Sequence, residues 1–187
     1  MRTWAAPART RISPLVITQT SSSDRDYYPD RDERQYRRGV YTHWQRTFLH
    51  PMLATFDAPS REECVASRNI SNTPQQALAL LNDPSIVEAA RAFAEKVLSF
   101  KRSSDDARLD FACEEALGRP IKPNELKSLE EFLALQREHY EENPDEAEKL
   151  TRVGIASEPK GTNESELAAW TQVCRVILNL HETITRY

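Results

Sequence analysis

Between Thr55 and Asp83 the chain concentrates the side chains that could do chemistry: Asp57, Arg61, Arg68, Asn72, Thr73 and Asp83, with Glu62, Glu63, Cys64, Gln75 and Gln76 among them. Two arginines ahead of a helix start have the makings of an anion site, because guanidinium forks bind oxyanions through paired hydrogen bonds and the first N–H groups of a helix point at such a ligand. On that reading Arg61, Arg68, Asn72 and Thr73 are the ligand-binding candidates. Asp57 and Asp83 are the candidate catalytic carboxylates, since general acid and base work needs two carboxyl groups at a defined separation, which spacing in sequence does not measure. A second reading of the same residues is an internal clamp. It outweighs the first, because an irregular segment must satisfy its backbone N–H and C=O groups whatever its function, and Asp57, Arg61 and Arg68 can do so.

Other candidate chemistries find less support. Cys64, Cys113 and Cys174 stand about fifty or more residues apart, so neither a CxxC pair, a zinc knuckle nor a CxxCH haem attachment is present, and an odd count leaves at least one thiol unpaired within the chain. Cys113 and Cys174 fall on apolar faces of predicted helices, the usual place for a small buried thiol, whereas Cys64 lies in polar company. Cys64 could act as a nucleophile with His43 or His50 as base, but nothing in their spacing supports the pair. His43, His50, His139 and His181 show no HxxxH spacing, and no metal site is expected. Trp44, Phe48, Phe56 and Trp170 could line a sugar platform, yet rings of this size more often build core. The four glycines are scattered singly, which excludes a dinucleotide fingerprint and a phosphate-binding loop.

The elements that must position these residues are mostly helical. Residues 1 to 35 lack sustained apolar periodicity and read as a disordered or non-native leader; residues 36 to 187 form the domain. Val40, Tyr41, Thr42, His43 and Trp44 make the best strand candidate, a short β-strand or hairpin at the N-terminal edge. Residues 51 to 72 read as ordered but irregular, with one short helix at 60 to 66. Thr73 and Pro74 then open a helix through Leu81, and Asp83 with Pro84 open another that runs to about Phe100. A third starts near Ser104 and stops at Gly118, a long one begins at Pro123, and an acidic one begins at Asn143 and Pro144 and ends at Gly154. Asn163 and Glu166 form a capping-box-like pair before a last helix that is apolar around much of its circumference, and hence central. The expected fold is mainly α, an irregular bundle of about six helices.

Charge is unevenly spread. Residues 1 to 46 hold nine Arg and no Lys against five acids, a balance of +4, and the remainder carries −8, within a chain of 187 residues and net charge −4. The arginines are interleaved with acids, so no basic helix face results and no nucleic-acid partner is expected. No stretch approaches the roughly 20 apolar residues of a membrane span, and the run around Leu15 to Ile17 is too short for a secretory signal core. As it stands, the chain reads as soluble and cytoplasmic.

From Tyr36 to Leu98 the sequence closely resembles the C-terminal region of a planctomycete-type family, domain of unknown function 1553, also known as a planctomycete-specific domain. TFDAPSREEC (Thr55 to Cys64) and SNTPQQALALLND (Ser71 to Asp83) carry the resemblance, and LGRPIKPNEL (Leu117 to Leu126) and the closing AAWTQVCRVILNLHETITRY (Ala168 to Tyr187) are similar to the family's later helices. The resemblance implies a helical module, a scaffold or binding domain, from the end of an exported multidomain protein in which a c-type haem domain and a second domain precede it. Its partners would be those upstream domains, with polysaccharide as a further class. No cofactor is expected in this chain, since haem belongs to the upstream domain, and export to the periplasm or cell envelope is expected of full-length relatives. The chain departs from the family in lacking a haem motif, a signal peptide and an upstream domain, and residues 1 to about 26 do not look like family sequence, so a fragment or misplaced start is expected. The alternative is part of a composite enzyme site acting on complex or sulfated polysaccharide. The family brings no established reaction, hence no catalytic residue to transfer.

Overall fold

In a computed structural model, the described residues are 51–59, 64–67, 69–100, 104–157 and 163–184, together with Tyr36, Tyr41 and Gly161. They form eight helices: α1 (Pro51–Thr55), α2 (Pro74–Asn82), α3 (Pro84–Leu98), α4 (Asp105–Leu117), α5 (Pro123–Glu142), α6 (Pro144–Thr151), α7 (Glu164–Leu178) and α8 (His181–Ile184). The chain divides into two compact units, Met1–Ala79 and Leu80–Tyr187. The fold is mainly α, as the periodicity implies.

The second unit is built around α7. Its residues Leu167, Ala168, Ala169, Trp170, Val173, Cys174 and Ile177 are all inaccessible to solvent, and α3, α5 and α6 pack on it most extensively. A helix apolar on most sides can only be stable when surrounded. Around it lie Ala90, Ala94 and Val97 of α3, Leu109, Ala112 and Cys113 of α4, Leu133 and Tyr140 of α5, and Ala147 of α6.

Start and stop signals act as the sequence implies in most places. Asp83 caps α3, its Oδ1 accepting the Ser85 N–H at 2.8 Å, and Gly118 ends α4 in the left-handed region at φ 72°. Asn163 caps α7 by accepting the Ser165 N–H at 3.0 Å. Glu166, however, does not complete the expected box. Its carboxylate takes the Trp170 indole N–H at 2.9 Å and two hydrogen bonds from Arg137, at 2.6 and 2.8 Å, because a buried indole N–H and a guanidinium both need an acceptor there. Arg137 also binds Asp105 through both Nη atoms, at 2.6 and 3.1 Å, so one side chain of α5 joins α4 to α7.

Three expectations need correction. The strand at 40 to 44 is not supported: among the described residues there is no strand, and Tyr41, the one described member of that run, sits exposed in a tight helical turn. Val40, Thr42, His43 and Trp44 lie outside the described residues. β-propensity measures fit to a paired, half-buried surface rather than an intrinsic backbone preference, so it does not make a strand by itself. A helix of the irregular segment lies at Pro51–Thr55, and the one expected at 60 to 66 is absent from 64–66. Residues 64–67 are not helical, and 60–63 lie outside the described residues. Five residues are too few to show a period, and Pro51 marks the start only because a first-turn proline forfeits no helical hydrogen bond. Finally, α6 stops at Thr151, three residues before Gly154.

The segment after α6 is held by two buried charges of α3. Arg91 donates Nη1 to the Thr151 carbonyl at 2.7 Å, and the Glu88 carboxylate accepts the N–H groups of Ile155 and Ala156 at 2.7 and 3.2 Å. Gly154, at φ 103°, brings that backbone against Glu88. Such side chains give an irregular, largely exposed backbone segment its partners.

Arg119, between α4 and α5, donates to both carboxylate oxygens of Glu125 at 2.8 and 2.9 Å and to Glu182 of α8 at 2.8 Å. Hydrogen bonding from Arg119, against the opposing effect of burial, holds the Glu125 carboxyl down at about 2. Arg137 likewise lowers Asp105. Both carboxyl groups titrate lower in the folded chain than in the unfolded one, so the stability they contribute is present above about pH 5 and is lost as pH falls towards 2. The urea midpoint should decline across that window, and the decline should be smaller in Arg119→Met. Equal declines in the two proteins would place the acid sensitivity elsewhere.

Candidate functional site

The polar run picked out by the sequence is organised in the first unit around Asp57 and Gln76. Helix α1 ends in backbone hydrogen bonds from Phe56, Asp57 and Ala58 to Met52, Ala54 and Leu53. Asp57 follows with φ 57°, the one non-glycine residue of left-handed backbone among the described residues. Short polar side chains tolerate this conformation because they can bond locally. Asp57 instead reaches along the chain: its Oδ2 accepts both the Ser71 N–H at 2.8 Å and the Ser71 hydroxyl at 2.7 Å.

Gln76 completes the arrangement from the first turn of α2. Its side-chain amide donates to the Thr55 carbonyl and to Ser71 Oγ, each at 2.9 Å, and its Oε1 accepts the Thr73 N–H at 3.1 Å. Thr73 Oγ1 in return accepts the Gln76 N–H at 3.3 Å. Thr73 and Gln76 are thus a reciprocal capping box, and Gln76, only 5% exposed, also carries the bond back to α1. These contacts tie the end of α1 to the start of α2.

Chemically this arrangement suits a clamp better than a catalytic pair. A carboxylate is a poor base for a serine hydroxyl, whose proton is held many units more tightly, and a nucleophilic serine ordinarily works through an imidazole. The same Asp57 oxygen is also occupied by a backbone N–H, and Ser71 Oγ already accepts from Gln76. Asp57→Asn isolates the carboxylate, since Asn also accepts left-handed backbone. It should cost about 1 kcal/mol, lowering the melting temperature by a few degrees, because two charge-assisted bonds at an exposed site become neutral ones. Circular dichroism melting would show it, and an unchanged midpoint would mean that the end of α1 and the start of α2 are joined without Asp57.

The other sequence candidates are placed as follows. Thr73 is half-buried and spent on the cap, while Asn72 is exposed. Asp83 belongs to the second unit, is 1% exposed, and serves as the α3 cap, so the two candidate carboxylates fall in different units. Arg61 and Arg68 lie outside the described residues, as do His43, His50, Trp44 and Phe48. Trp170 is core, and Phe56 is half-buried. His139 Nε2 lies 3.0 Å from Glu146 on the surface. Cys64 is exposed and unpaired by disulfide. Burial pushes the Cys113 thiol up to about 11 and raises Cys174 as well, which keeps both as inert protonated groups. Among the described residues no three His, Cys, Asp or Glu side chains are grouped to hold a metal ion, and no helix is long and apolar enough to cross a membrane.

Ser71 is absent from the sequence candidates, and Gln76 stands among them without a role. A Thr-x-x-Gln spacing at a proline-started helix was the available signal for Gln76. Nothing local marks Ser71, whose bond to Asp57 spans fourteen positions.

The sequence matches the family model described as PSD1, protein of unknown function (DUF1553), over residues 6–133. The match takes in Thr55 to Cys64, Ser71 to Asp83 and Leu117 to Leu126; it begins at residue 6, so most of residues 1 to 26 match the family against the expectation that they would not, and it ends before the closing segment from Ala168. No curated protein and no solved structure matches the chain.

Proposed function

Because the chain belongs to the DUF1553 family of proteins of unknown function, we propose that it is a scaffold or binding module working within a longer polypeptide, with the preceding domains of that polypeptide as its partners. The observation that supports this is where the polar side chains are spent. Asp57, Thr73 and Gln76 secure an irregular backbone to a helix start, and Asp83 caps α3, so the carboxylates best placed for acid and base work serve the fold. In this reading the parent is exported and carries a c-type haem domain upstream, the present chain having no CxxCH of its own.

The test is to mix the purified chain with the separately produced preceding region of a longer family member. A stoichiometric complex in size-exclusion chromatography, with calorimetric affinity in the micromolar range or better, is expected. Turnover of a complex or sulfated polysaccharide or an ester by this chain, without complex formation, would overturn the proposal. It would favour instead a composite enzyme site to which Asp57, Arg61 and Arg68 contribute. Asp57→Asn and Arg61→Ala separate the two roles: lower stability with unchanged binding supports the clamp, and lost binding at unchanged stability supports the site.

A further inference from the structure

We draw no further inference here: the strongest candidate, the exposed apolar side chains Val65, Ile70 and Leu78 on the loop before α2 and on α2 itself, carries nothing because nothing in the structure shows what covers them.

Discussion

Gly154→Ala should destabilise the second unit by about 3–5 kcal/mol, close to half of what a domain of this kind has to lose. Two effects act together. At φ 103° an L side chain is strained, at a cost of roughly 1–2 kcal/mol. An added Cβ would also overlap the Glu88 side chain from its carboxylate back to its Cβ, and Glu88 is buried. Moving it away strips the Ile155 and Ala156 N–H groups of their acceptor, and each bond to a buried charge is worth about 1.5–3 kcal/mol. The melting temperature should drop by roughly 10 °C for a chain of this length. A double-mutant cycle with Glu88→Ala tests the cause. If the overlap with Glu88 dominates, Gly154→Ala will be far cheaper in the Glu88→Ala background, leaving mainly the backbone strain. Additive losses would show instead that the carboxylate and the glycine act separately.

Trp170→Ala should cost a comparable amount, about 3–5 kcal/mol, by a different route. Trp170 is the largest side chain fully shielded from solvent and lies on the central helix, so truncation leaves a cavity that the surrounding helices can only partly fill. It also removes the indole N–H from Glu166, leaving that carboxylate to Arg137 alone. Trp170→Phe separates these contributions. It keeps most of the volume and loses the hydrogen bond, and about 1–2 kcal/mol is expected. Urea titrations of the three proteins at pH 7 should rank them wild type, Phe, Ala. A Phe variant as weak as the Ala variant would mean that the polar bridge among Trp170, Glu166 and Arg137, rather than packing, holds α4, α5 and α7 together.

These two positions also separate what can be read along the chain from what cannot. That Trp170 is core follows from local pattern, because Leu167, Trp170, Val173, Cys174 and Ile177 recur at helical spacing and leave no polar face wide enough for solvent. The starts of α2 to α5 and α7 and the end of α4 were legible for the same kind of reason: a cap, a first-turn proline or a terminal glycine acts within one turn of its own position. Gly154 shows the limit of such signals. Its punctuation reads as a helix stop, while its use is to admit a carboxylate sixty-six positions earlier in the chain, a contact with no local correlate.

The candidate site divides in the same way. The concentration of polar side chains from Thr55 to Asp83 was visible in composition, and so was the demand that irregular backbone be satisfied. Which side chains would meet that demand was not. Asp57 finds Ser71, and Gln76 reaches both Thr55 and Ser71, only because α1 and the start of α2 are brought together, whereas the Asp83 cap of α3 is local and already marked by Asp83 and Pro84. Sequence by itself determined the helical class, most of the caps, the central helix and the place of the polar cluster, since each depends on interactions spanning a few residues. Tertiary structure alone decided that Glu166 serves Arg137 and Trp170 rather than its own cap, that Glu88 and Arg91 are buried to hold a linker, and that Asp57 belongs to a clamp. Those outcomes are competitions among distant donors for a limited number of acceptors, and only the folded chain brings the competitors within hydrogen-bonding distance.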